Sequence, residues 1–345
     1  MRVLVVVLNW NGVDDTEECL DALARQTYAD ADVLVIDNGS EPDDVRRLRA
    51  RAADGSFRLR LQPENLGFAG GVNAGIRLAQ HDGYDAVALL NNDALPEPEW
   101  LASLVSAIEA SGASIATGLL LRRSDDPEVA GTIDTAGDGL SVWGMPFPRG
   151  RGDARADAPA RGAVFSASGG ASLYRTALFG EIGLFDETFF AYFEDVDVGF
   201  RARLAGHEIV YDPAAVAHHR IGATSGRIPG FTVRQTFKNL PVLLVKDVPA
   251  GLRRKVCPRF ALLLTMMLAK AVVGGTGAHA LGGLAAAVRL TLTHALPERR
   301  RIQSSRVATA ADVDRMLQHD LPPEQHGMRR LLAPFRPLGH AVRRR

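Results

Sequence analysis

A repeating pattern governs the first 125 residues: short apolar runs near 3 to 8, 32 to 37, 57 to 62 and 85 to 90, separated by longer amphipathic stretches. Strand-length runs alternating with helix-length segments predict a parallel α/β sheet. A strand that is apolar throughout, rather than on alternate residues, is expected where helices cover both faces of the sheet. In such sheets ligands collect outside the carboxyl ends of the strands. Asn9, Asp37 and the run Asn91-Asn92-Asp93 follow three different strands, so one crevice is expected to gather them.

Length and composition narrow the class. A chain of 345 residues holds one large domain or two modest ones at the usual ~100–200 residues per domain. With 46% hydrophobic and 23% charged residues it buries a core and is not a disordered chain. Its 40 Lys and Arg are balanced by 40 Asp and Glu, so no general attraction for nucleic acid is expected. Cys19 and Cys257 are far apart and show no metal-ligand or CxxC spacing, which suits a reducing cytoplasm and suggests neither a disulfide framework nor a zinc site. The opening run Val3 to Leu8 is too short for a signal sequence and leads into Asn9-Trp10-Asn11-Gly12, so it reads as a buried strand.

Residues 126 to 165 scatter Gly, Pro, Asp and Arg and read as a flexible surface loop. An ordered block from Val164 to about His219 follows, with a Gly-Gly turn, a helix beginning near Glu194 and a strand at Glu208 to Tyr211. From Phe260 to Pro297 the chain is almost all Ala, Leu, Val, Gly and Met, divided by Gly274-Gly275-Thr276-Gly277 into pieces shorter than the ~20 apolar residues of a spanning helix. Two readings stay open: two core helices, or peripheral membrane contact through residues 255 to 301. For the second, Arg299-Arg300-Arg301 and Arg343-Arg344-Arg345 would serve as cationic flanks for anionic lipid.

Several side chains in this layout can carry chemistry. Asp93 ends the fourth strand, where a hard divalent cation, Mg2+ or Mn2+, would accept one carboxylate and complete its shell with phosphate oxygens and water. Turn chemistry before Pro96 is the plain alternative. Asp37 could accept from a base N–H or a ribose hydroxyl, although Asp37-Asn38-Gly39 is also an ordinary turn. The stretch Asn65-Leu66-Gly67-Phe68-Ala69-Gly70-Gly71-Val72-Asn73 follows a strand and opens a helix, a placement that turns backbone N–H groups toward an anion. No Gly-x-Gly-x-x-Gly follows the first strand, which disfavours a dehydrogenase. Glu194, Asp195 and Asp197 open a helix; Asp197 and Arg201 can pair at i,i+4, and Asp195 is the candidate general base. His218 and His219 follow the later strand and offer an imidazole to complete a metal shell with Asp93.

As a set, Val5-Val6-Val7-Leu8-Asn9-Trp10-Asn11-Gly12, Ile36-Asp37-Asn38-Gly39-Ser40, Asn65-Leu66-Gly67-Phe68-Ala69-Gly70-Gly71 and Leu90-Asn91-Asn92-Asp93 resemble family 2 glycosyltransferases in order and spacing. Gly169-Gly170-Ala171, Gly183-Leu184-Phe185-Asp186-Glu187, Phe193-Glu194-Asp195-Val196-Asp197 and His218-His219 look like the later motifs of the rhamnosyltransferase-like branch. The resemblance covers about residues 1 to 240. It implies a GT-A fold: an α/β, mostly parallel sheet flanked by helices, with a nucleotide-binding half at 1–125, an acceptor half at 160–240 and a helical, Arg-rich extension at 241–345.

It also implies a nucleoside diphosphate sugar donor, such as dTDP-rhamnose, a cell-envelope or lipid-linked glycan acceptor, and inversion by a single displacement. The enzyme would be cytoplasmic, peripheral on the inner face of the membrane. By the same resemblance Asp37 is the base-recognition acid, Asp93 and His218 hold the divalent cation with His219 as the alternative ligand, and Asp195 is the base with Glu194 beside it. The donor site would comprise Asn9, Asn11, Asp37, Asn65, Gly67, Gly71, Asn73 and Asn92. Asn-Asn-Asp departs from the Asp-x-Asp form and places the weight on Asp93. Two rivals compete: a non-catalytic binding member of the fold, and a nucleotidyltransferase, whose basic residue after the first strand is missing from Asn9-Trp10-Asn11-Gly12.

Overall fold

The computed structural model describes residues 1–220 and 228–320; the expected Arg343–Arg345 flank lies outside them. In chain order the elements are β1 (Val3–Asn9), α1 (Val13–Leu23), β2 (Ala31–Asp37), α2 (Pro42–Arg51), β3 (Arg58–Leu61), α3 (Gly67–His81), β4 (Ala86–Asn91), β5 (Ala94–Pro96), α4 (Trp100–Ser111) and β6 (Ile115–Arg122). There follow β7 (Ile133–Thr135), β8 (Asp138–Leu140), β9 (Pro146–Pro148), β10 (Gly162–Ala163), β11 (Ala171–Arg175), α5 (Leu178–Ile182), α6 (Glu194–Leu204) and β12 (Ile209–His219). Helices α7 (Phe231–Asp247), α8 (Arg253–Val273), α9 (Gly277–Leu290), α10 (Leu296–Ser305) and α11 (Ala310–Met316) complete the described chain.

The main sheet has the order β10-β12-β6-β11-β4-β1-β2-β3. Strands β4, β1, β2 and β3 run parallel, and β11 is inserted antiparallel between β4 and β6. Successive side chains of β1 enter different cores: Leu4 and Val6 join Leu34 and Ile36 on one face, while Val3, Val5 and Val7 join Val35 and Trp100 on the other. That two-sided burial explains the unbroken apolar runs. The exception is β3, an edge strand of alternating Arg58-Leu59-Arg60-Leu61 that is mostly exposed. Register pairs Asn9 with Asp37 and Leu8 with Asn91, so the three polar strand ends lie level with one another.

Residues 126–165 are not a bare surface loop. They contribute β7 to the main sheet and the hairpin β8–β9, and they bury Ile133, Asp134, Thr135 and Phe147. The expected boundary at 240 falls within α7. Side chains from both sides of it share one core, where Phe165, Phe189, Phe200 and Leu204 meet Leu240, Leu243, Phe260 and Ile302. The extension is thereby packed onto the α/β half, while Val272, Val273, Leu281, Val288 and Leu292 remain exposed. One helical segment, Ala250–Val273, is long and apolar enough to cross a membrane by length and composition.

Candidate active site

A cavity of about 700 Å³ opens at the carboxyl ends of the strands, lined among others by Asn65, Gly67, Asn92, Asp93, Glu194, Asp195 and His219. Three further residues, Asp134, Asp138 and Arg151, come from the segment read as a loop. Asp93 Oδ1 lies 3.2 Å from His219 Nε2, and His219 Nδ1 lies 2.9 Å from Asp134 Oδ2. Arg151 closes the chain on Asp134 at 2.7 Å. Burial alone would push the His219 imidazole down, but its bonds to Asp134 and Asp93 raise it to about 10, so it stands as a cation between two carboxylates.

The two neighbouring histidines separate because successive residues of a strand face opposite sides. His219 turns into the cleft, whereas His218 turns away and lies 3.1 Å from Glu97, which also holds Arg155. The structure thus does not bring the expected ligand His218 to Asp93; it brings the alternative, His219.

Across the cavity, α6 begins in an unusual way. Phe190, Tyr192 and Phe193 all have positive φ, between 64° and 71°, a conformation that costs side-chain-bearing residues energy and concentrates at functional sites. Helix α7 holds this segment: Asn239 Nδ2 lies 3.0, 2.9 and 2.8 Å from the carbonyls of Phe189, Ala191 and Tyr192. The strained turn delivers Asp195, whose oxygens accept from the backbone N–H of Gly169 (2.9 Å) and Val196 (2.8 Å). Burial raises the Asp195 carboxyl against the opposing effect of those bonds. Glu194 lines the cavity beside it, and burial, then the Asp195 charge, pushes its carboxyl well above the usual range. Asp138 is raised to about 7, by burial first and Asp195 second.

The expected donor residues divide. Asn65, Gly67 and Asn92 line the cavity; Asn9, Asn11, Asp37, Gly71 and Asn73 do not. Asp37 is 1% exposed and both its oxygens accept internal bonds, from Asn9 Nδ2 and Ser40 N, so it braces the cavity floor. Asn11 ties the same loops together through Ser40 and Glu41. Asn73 bonds the backbone of Phe185 in both directions, joining α3 to the turn before α6. Gly71 lets α3 approach β1: a Cβ there would sit 2.4 Å from Leu8 Cδ1. Gly67 has φ +70°, and a Cβ would fall 2.4 Å from the Phe190 carbonyl oxygen.

Among the described residues no three His, Cys, Asp or Glu side chains are grouped to hold a metal ion by themselves. A carboxylate and an imidazole side by side, both facing the cleft, nevertheless suit a hard divalent cation that displaces the Nε2 proton His219 shares with Asp93 and takes its remaining ligands from a diphosphate and water.

A ten-stranded mixed sheet of this order, flanked by helices and with an acid-rich cleft at its carboxyl edge, is the architecture of the GT-A class. The family described as glycosyl transferase family 2 matches residues 4–183. An N-acetylglucosaminyl-diphospho-decaprenol L-rhamnosyltransferase of Mycobacterium tuberculosis is 30% identical over 258 residues, covering 70% of this chain and 83% of that one. The chain belongs to glycosyltransferase family 2 and is rhamnosyltransferase-like. Among solved structures, the mannosyltransferase PcManGT from Pyrobaculum calidifontis in complex with GDP-Man and Mn2+ superposes with a TM-score of 0.52 at 19% identity, over 91% of this chain and 85% of that one. GalNAc-T7 with UDP, GalNAc and Mn2+ gives 0.56 at 14% identity over 71% of this chain, which spans only 48% of that protein. At these identities the likeness is one of fold.

Proposed function

We propose that this glycosyltransferase moves a sugar, with inversion, from a nucleoside diphosphate donor to a hydroxyl of a lipid-linked cell-envelope glycan. The observation that carries this reading is that the Asp93–His219 pair and Asp195 line one cavity large enough for a nucleotide sugar. The sugar proposed is rhamnose, carried by dTDP: the similar mycobacterial protein is named an L-rhamnosyltransferase, and its name also specifies a diphospho-decaprenol acceptor.

Asp93 and His219 are the residues that would hold a divalent cation. When bound it would offset charge on the diphosphate leaving group. Asp195 takes the acceptor hydroxyl's proton as that oxygen attacks the anomeric carbon, and the donor's C–O bond to the diphosphate breaks in the same displacement. Burial, which raises the Asp195 carboxyl, makes it a better proton acceptor than an exposed Asp. The Gly169 and Val196 N–H groups fix its orientation and keep it ionised enough to act.

Residues 255–301 are proposed to rest on the cytoplasmic leaflet, supported by the exposed apolar side chains of α8 and α9 and the nearby Arg300 and Arg301. Flotation with anionic vesicles checks this, and a protein that stays with the soluble fraction contradicts it. The function is tested with a panel of nucleotide sugars, assayed with Mn2+, with Mg2+ and with EDTA, scoring nucleoside diphosphate release. Release confined to one donor and abolished by EDTA is expected. Release by none would favour a non-catalytic binding member, and release indifferent to EDTA would remove the cation.

A further inference from the structure

Beside the cleft, on the far side of a ridge formed by Phe190 and Phe231, lies a second cavity of about 560 Å³. The two rings stack edge to face at 6.1 Å and line both cavities. Its charge is one-sided. Arg234 and Lys238 from α7 and Arg289 from α9 line it, and the acid on the wall, Glu187, is already engaged by Asn73 and Arg77. Neither Arg234 nor Arg289 forms an ion pair among the described residues, and both are exposed. Lys238 donates to the Thr188 and Phe189 carbonyls, and burial together with the Arg234 charge lowers it to about 8. Three cations on one wall, two of them arginines without an ion pair among the described residues, favour a ligand carrying more than one negative charge, and arginine forks match phosphate oxygens.

A second face of α9 is apolar and exposed. Ala286 and Leu290 form part of the cavity wall, and on the same helix and the turn after it Leu281, Val288 and Leu292 are 56, 63 and 67% exposed. Spacings of seven and four place them along one face of the helix. A ligand that satisfies both features has an anionic head and a long apolar tail.

We propose that this second cavity binds the diphosphate of a polyprenyl-diphosphate-linked acceptor, its sugar reaching over the Phe190–Phe231 ridge toward Asp195 and its lipid lying along α9. The inference rests on the lipid-linked acceptor of the proposed function and locates where that acceptor's head is held. The test is calorimetric titration of the full chain, saturated with nucleoside diphosphate, by farnesyl diphosphate, farnesol, inorganic pyrophosphate and phosphatidylglycerol vesicles. It is repeated with the double variant Arg234→Glu, Arg289→Glu.

Farnesyl diphosphate should bind at least about tenfold more tightly than farnesol or pyrophosphate, and the double variant should lose at least about tenfold of that affinity while nucleotide binding is unchanged. Undiminished affinity in the variant overturns the site. Equal binding of pyrophosphate would make it a free-phosphate pocket, and binding of vesicles without farnesyl diphosphate would make it a headgroup contact; either result also overturns the proposal. Because the readout is binding, absence of sugar transfer would count against the proposed function alone, and transfer without farnesyl diphosphate binding would count against this site alone.

Discussion

Asp195 and Asp197 lie two residues apart at the start of one helix and belong to two different electrostatic regions. Asp197 is fully buried in a network that joins the catalytic half to the extension: Arg201 pairs with it at 2.8 Å, and Lys246 bridges it to Asp186, which His294 also holds at 2.8 Å. Burial would raise Asp186, but His294 and Lys246 hold it far below the usual carboxylate range. Asp247 is pushed well above that range by burial and by Asp197, against the pull of Lys246 and Arg201. In this network protein cations neutralise the acids. In the cleft the acids outnumber them: Asp93, Asp134, Asp138 and Asp195 face only His219 and Arg151. The first arrangement is finished scaffolding, and the second has room for an outside cation or proton.

If that contrast holds, its largest stability effect comes from Lys246→Ala. Removing one partner of a buried ion network costs about 3–5 kcal/mol, because the remaining carboxylates are left without compensation. A chemical denaturation midpoint close to wild type would show that the network is not what ties the extension down. In the cleft, His219→Ala should weaken cation-dependent donor binding by about tenfold or more, since second-sphere and ligand losses at metal sites are of that size, and it should also lower stability because Asp93 and Asp134 lose their shared partner. Donor titrations with and without Mn2+ check it.

A smaller effect sharpens the contrast through pH. The Asp138 carboxyl is raised to about 7, so its contribution to stability is fully present below its unfolded value of about 4 and is lost as pH rises through about 7. In EDTA, Asp138→Asn should become more stable relative to wild type across that interval. Thermal unfolding curves that stay parallel with pH would deny Asp138 its raised value. The smallest effect belongs to His218→Ala. It breaks a half-exposed contact with Glu97, worth at most about 1 kcal/mol, and should leave turnover nearly unaltered.

The parts of the molecule that could be read in sequence are those with short-range periodicity. The ends of β1, β2 and β4 showed where the cleft lies because buried parallel strands advertise themselves as apolar runs. Asn9 and Asp37 were correctly placed at those ends, yet their polar groups bond each other beneath the cavity, a pairing that depends on register and not on spacing. Asp134 and Asp138 were hidden because strands of three residues are too short to leave a periodic trace, and Arg151 because it lies in the turn that follows them. The choice between His218 and His219 turns on strand parity. The register of β12 shifts between Tyr211 and Val216, so counting from the visible start of the strand cannot tell which imidazole faces the cleft.

The most direct test of the whole account is Asp195→Asn, measured for sugar transfer and for donor affinity on the same preparation. Transfer should fall by about 10²–10⁴-fold, the usual worth of a general base, while the nucleotide sugar binds as before. Wild-type turnover in that variant, or a parallel loss of donor binding, would contradict it.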